Sequence, residues 1–142
     1  MMQQYYFADD RHIAGLVSEI RGKGLSTPDG MDLTDLPGLV RVYNGIGPDA
    51  WAEPLRRIST ALLARFEPEA LIHDWEYTHQ PKTYGAFTWA NIRFAWNAFL
   101  CAFRTADTRK KLLAQTAAGL ALATLCQIWG WTGYRTASLT DQ

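Results

Sequence analysis

The sequence predicts an all-α fold of about five helices in one domain, residues 1–142. Three observations carry that expectation. Apolar residues recur at helical spacing along most of the chain. Capping residues stand just ahead of those stretches, and glycines and prolines gather between the stretches rather than inside them. A chain of 142 residues is the size of one domain with a single core.

Asp9 or Asp10 caps a first helix whose apolar positions Ile13, Leu16, Val17 and Ile20 follow the 3.6 period and which ends at Gly22 and Gly24. From Leu25 to Pro48 the punctuation is dense: Pro28, Asp29-Gly30, Pro37-Gly38 and Gly45-Ile46-Gly47-Pro48 define an irregular loop holding one short extended run, Leu39 to Tyr43. Trp51, Leu55, Ile58, Leu62, Leu63 and Phe66 mark a second helix, with Pro54 near its start. Pro68 suits the first turn of a third helix, Glu69 to about Thr78, closed by Pro81. Thr88 caps a fourth helix, Trp89 to Phe103. Asp107 or Thr108 caps a fifth, Arg109 to about Trp131, closed by Gly130 and Gly133. Thr136 to Gln142 read as a loose tail.

Composition narrows the function classes. The 14 basic and 14 acidic side chains cancel, so the basic footprint of a nucleic-acid binder is missing. Six Trp, six Tyr and six Phe are many for this length. The N-terminus has no basic start followed by an apolar run and does not read as a secretory signal; a cytoplasmic or phage-associated setting is expected. Cys101 and Cys126 are too few for a disulfide scaffold. On an antiparallel pair turning near Ala106 they fall roughly 20 Å apart, so both are expected to be buried free thiols.

Leu112 to Trp131 is about as long as a membrane span and follows Arg109-Lys110-Lys111. Gln115, Thr116, Thr124 and Gln127 interrupt it, and a buried core helix is the favoured reading, with peripheral membrane contact as the alternative. On the fourth helix Trp89, Ile92, Trp96, Phe99 and Phe103 form one apolar stripe, and Phe94, Ala95, Ala98 and Ala102 another. Arg93, Asn97 and Arg104 are left on a narrow polar strip. Core packing is the favoured use of the surplus stripe; a homo-oligomer contact or a lipid-facing patch is the alternative.

The chemistry-bearing constellation is His73, Asp74 and Tyr77 on the third helix. Adjacent residues point about 100° apart on a helix, so His73 and Asp74 serve one cavity only by dividing labour, one on a metal and one on protons. Tyr77 lies one turn on and projects from the same side. Upstream, the two glycines of Tyr43-Asn44-Gly45-Ile46-Gly47-Pro48 free the backbone to curl, so that carbonyl oxygens converge on a hard cation. Asn91 faces an apolar interior, where it needs a partner. His73 or Tyr77 is the natural one.

Together these residues resemble the phospholipase A2 superfamily, whose calcium loop reads Tyr-x-Gly-x-Gly and whose catalytic helix reads His-Asp-x-x-Tyr; both occur here in the family's order. The resemblance implies calcium held by backbone oxygens of Tyr43, Gly45 and Gly47 with the carboxylate of Asp74. It implies His73 as the base that activates water against a lipid ester, with a phospholipid or membrane surface as partner. Tyr77 and Asn91 would support the catalytic His73. The chain from His73 onward also resembles a group of small uncharacterised phage-associated proteins with the same helix, which implies a tail or injection context.

Two departures from the family pattern stand out. Asn91 occupies the position where both families place an Asp, and an amide fixes a tautomer without stabilising an imidazolium as a carboxylate does. The insert between Gly47 and His73 is also longer than usual. The expected function is therefore a calcium-dependent phospholipase A2-like hydrolase or a catalytically impaired relative, with a non-enzymatic phage or injection component as the alternative. A second alternative is an HD-type metal phosphohydrolase, which needs a further His upstream and an Asp downstream. His12 and Asp107 stand in that order.

Overall fold

The computed structural model describes residues 9–43 and 66–136, which form six helices and no strand. They are α1 (Asp10–Lys23), α2 (Leu36–Val42), α3 (Glu67–His79), α4 (Tyr84–Thr105), α5 (Arg109–Trp129) and α6 (Trp131–Thr136). The all-α expectation holds. The expected helix from Trp51 to Phe66 lies outside the described residues except for Phe66, which precedes α3, and the expected tail lies outside them after Thr136.

α1 follows its sequence signals. The Asp9 carboxylate accepts from the His12 amide at 2.8 Å, and Ile13, Leu16, Val17 and Ile20 are buried. Gly24 closes the helix at φ 62°, a left-handed conformation that favours glycine.

α2 corrects the sequence reading, since the run Leu39 to Tyr43 is helical up to Val42 and not extended. Val40 and Val42 are β-branched and favour extension, but local capping decides. Asp35 accepts from the Gly38 amide at 3.1 Å, and Pro37 sits in the first turn, where its missing N–H costs nothing. Leu39 and Val42, three residues apart, then share the buried face.

α3 is the central helix and packs against α1, α2, α4 and α6. It begins at Glu67, two residues earlier than expected, and buries Ala70, Leu71 and Ile72 together with the polar Glu69, His73 and Glu76. Burying those three polar side chains makes this helix the natural place to look for chemistry.

α4 and α5 are the expected antiparallel pair. α5 is capped by Thr108, which accepts from the Lys111 amide at 3.1 Å. α4 begins at Tyr84, not at Trp89. Thr83 is the cap, accepting from the Ala86 amide at 3.1 Å, while the Thr88 hydroxyl donates back to the Tyr84 carbonyl at 2.9 Å inside the helix. The pair closes tightly at Gly119, where an added Cβ would stand 2.3 Å from the Cβ of Ala98. Cys101 and Cys126 are free, as expected, but half-buried.

The rotation of α4 overturns the core-packing expectation. Trp89, Ile92, Trp96 and Phe103 of the first apolar stripe are exposed, Trp89 by 67% and Phe103 by 66%. Asn97 of the supposed polar strip is instead buried. Its side chain accepts from the Ser26 amide at 2.7 Å and donates to the Ser26 carbonyl at 2.8 Å, pinning α4 to the turn after α1. Arg93 adds a 2.8 Å ion pair to the buried Glu76. Satisfying these groups outweighs burial of the first, aromatic stripe, because an unpartnered buried amide or carboxylate costs more than an exposed indole. α5 departs from expectation in the same sense. Only 17% of its most apolar window is buried, and Gly119, Leu122 and Ala123 are its buried residues.

Candidate functional site

The geometry around His73 is set by three helices. α3 supplies His73, Asp74 and Tyr77, α4 supplies Asn91, and α5 supplies Gln127. The His73 ring is 8% exposed. It lies against Tyr77, with centroids 4.3 Å apart, and meets the edge of Phe94 at 5.4 Å. Its Nε2 is 2.7 Å from Oδ1 of Asn91, so Asn91 finds the partner its apolar surroundings demanded. The Tyr77 hydroxyl points to the same oxygen at 3.5 Å, and the Tyr77 ring stands edge-on to the buried Tyr134 of α6 at 4.9 Å.

The hydrogen-bond directions around Asn91 fix the His73 tautomer, starting from a backbone carbonyl. Thr88 spends its only proton on the Tyr84 carbonyl, so its oxygen is an acceptor for Gln127 Nε2 at 3.0 Å. The same nitrogen donates to the Tyr84 hydroxyl at 3.0 Å. With Gln127 oriented in that way, its Oε1 accepts from Asn91 Nδ2 at 2.8 Å. Asn91 Oδ1 must then face His73, and a carbonyl oxygen only accepts. Nε2 therefore carries the proton and Nδ1 the lone pair.

Electrostatics keep this imidazole neutral. Burial pushes the His73 pKa down to about 4, with the Asn91 bond opposing the shift. Burial likewise holds the Tyr77 phenol well above its ordinary value and lifts Glu76 to about 7 against the pull of Arg93. The Cys126 thiol is pushed up to about 12 by burial and then by the charge of Asp74.

Of the calcium set expected from the sequence, Tyr43 and Asp74 fall among the described residues. Tyr43 ends α2 beside the first turn of α3, where its hydroxyl donates to Glu67 at 3.4 Å and its ring stacks on His12 at 6.4 Å. Glu67 precedes Asp74 by seven residues, about 10 Å along a helix axis. Gly45 and Gly47 lie outside the described residues. No group of three or more His, Cys, Asp or Glu side chains suited to a metal occurs among the described residues. The residues an HD phosphohydrolase would need are also elsewhere. His12 is half-buried with Nε2 3.4 Å from Glu67, and Asp107 pairs with Lys111 at the α4–α5 turn. His79 is exposed and stacks on Trp75 at 4.2 Å.

Sequence reasoning missed Gln127, Thr88 and Tyr84 as the outer part of this network. A signal was present: Gln127 is a polar residue in an Ala-rich apolar helix and needed a partner. Comparison with protein-family models, characterised proteins and solved structures gives no significant match.

Proposed function

We propose that the chain is a phospholipase A2-like lipid ester hydrolase in catalytically impaired form. One observation carries this reading: the 2.7 Å bond from His73 Nε2 to Asn91 Oδ1 leaves the lone pair on Nδ1, the arrangement a general base needs. In this reading Nδ1 of His73 takes a proton from the water that attacks an ester carbonyl. Tyr77 and Asn91 hold the ring. The impairment has a physical source, because Asn91 offers the imidazolium no negative charge and the surroundings are apolar. Asp74, next to His73 on α3, is the carboxylate that would serve calcium, which would supply oxyanion stabilisation. Its other oxygens would have to come from the Gly45 and Gly47 stretch.

A second reading, a non-enzymatic component of a phage tail or injection apparatus, is favoured by the same amide. A buried neutral His bonded to Asn is also a satisfied structural pair. Turnover separates the two. Hydrolysis of mixed phospholipid vesicles should be weak in the native protein, absent in His73→Gln, and raised ~10²-fold in Asn91→Asp, within the range for general-base catalysis. Calcium titration by calorimetry should give heat that Asp74→Asn removes. No hydrolysis by either the native protein or Asn91→Asp would overturn the hydrolase reading and leave the structural one.

A further inference from the structure

We propose that the outer face of the α4–α5 hairpin docks on an anionic lipid surface, with its aromatic stripe at the acyl boundary and its basic turn on the headgroups. The apolar half of the case is the stripe itself. Ile92, Trp96 and Phe103 are exposed by 48%, 54% and 66% on α4, and Leu113 and Leu120 by 63% and 58% on α5. The rings of Trp96, Phe99 and Phe103 stack in series, with centroids 5.6 and 5.9 Å apart. An apolar surface this continuous is uncommon on a monomer that meets only water. α5 is also, by length and composition alone, long and apolar enough to cross a membrane.

The polar half decides the occupant. Between Tyr84 and Trp129 there are five basic residues, Arg93, Arg104, Arg109, Lys110 and Lys111, and one acidic residue, Asp107; Arg93 is paired inward with Glu76, and the other four against Asp107 leave a net charge of +3 in a chain whose total is zero. Four of the five cations gather at the hairpin turn and are exposed. A second copy would set this positive charge against its own, whereas an anionic bilayer complements it. Trp89 and Trp129, exposed by 67% and 42%, sit at the opposite end of the hairpin, and their indoles suit the headgroup boundary. The inner face of α4 is bonded to Ser26 and Glu76, so the hairpin lies along the interface with the rest of the protein above it.

Docking does not depend on the chemistry at His73. The test is co-sedimentation with vesicles of phosphatidylcholine, with and without phosphatidylglycerol, with tryptophan emission recorded alongside. The expected result is binding to the anionic vesicles, weakened by salt, with a blue shift of emission. Lys110→Gln with Lys111→Gln should lower affinity about 25-fold, at about fivefold per lysine. Trp96→Asp should abolish the blue shift; both changes fall on exposed side chains, and unchanged circular dichroism shows the fold intact. Equal and poor binding to both vesicle types would overturn the proposal. So would a stable lipid-free dimer that Ile92→Asp splits into monomers, since the stripe would then be covered by a second copy. Binding without hydrolysis keeps the docking surface and removes only the hydrolase reading.

Discussion

Gln127→Leu removes the residue that orients Asn91, and its consequence can be worked from the hydrogen bonds. In the native arrangement Asn91 Nδ2 donates to Gln127 Oε1 at 2.8 Å and Oδ1 accepts from His73 at 2.7 Å. Turning the amide over would set oxygen against oxygen at Gln127 and hydrogen against hydrogen at His73. Leaving even one such buried group unpaired costs ~1–3 kcal/mol, which is about 5- to 150-fold in favour of the Nε2–H form of His73. Leucine offers no acceptor, so that bias falls away at the outer end, and Asn91 can present either atom to the ring. Nitrogen-15 imidazole shifts at pH above 7 report the tautomer directly. The chain has three histidines, and His73→Gln identifies the signal. The native protein should show a pyrrole-type Nε2 and a pyridine-type Nδ1; in Gln127→Leu the two shifts should move toward each other, with Gln127→Glu, which keeps an acceptor, remaining native-like. A native spectrum with the proton on Nδ1, or shifts unchanged in a folded Gln127→Leu, would refute the argument.

Two further outcomes follow from the packing. Gly119→Ala should destabilise the hairpin by ~1–3 kcal/mol despite its better helix propensity, because its Cβ would stand 2.3 Å from that of Ala98; Ala98→Gly in the same chain should recover much of the loss in urea melts, and additive losses would contradict this contact. Glu69, fully buried beside Cys101, has its pKa raised by burial to about 7 from 4.5. The folded state therefore holds this proton more tightly than the unfolded one, and the stability this contributes is present below about pH 4.5 and lost as pH rises toward about 7, ~3 kcal/mol in all. Glu69→Gln should flatten that dependence and be the more stable protein at pH 8. Identical urea midpoints for the two proteins at pH 8 would refute it. His73, held down at about 4, works in the opposite direction below its ordinary value and cancels in the comparison.

The sequence made legible what one element decides alone. The buried stripe of α1 and its cap at Asp9 are fixed within fourteen residues, and the Thr108 cap sits next to the helix it starts. The pairing of Asn91 with His73 was also legible, because an amide among Phe94, Ala95 and Ala98 has few polar neighbours. α2 was misread for a local reason, since the Asp35 cap lies four residues before the run expected to be extended.

What was not legible is the choice between two apolar stripes on one helix. α4 carries two faces that could each have entered the core, and counting apolar residues favours burying both. The structure exposes Trp96 and Phe103 and buries Asn97. The deciding partner of Asn97 is the backbone of Ser26, 71 residues away, which accepts and donates one hydrogen bond each. No periodicity within α4 encodes that partner. The same rotation sends Arg93 to Glu76 and Asn91 to His73, so the polar contacts that build the candidate site and the apolar face left exposed on α4 are two results of one turn of the helix. A change that released Asn97 would therefore be felt at both, even though the side-chain hydrogen bonds of Asn97 go to Ser26 alone.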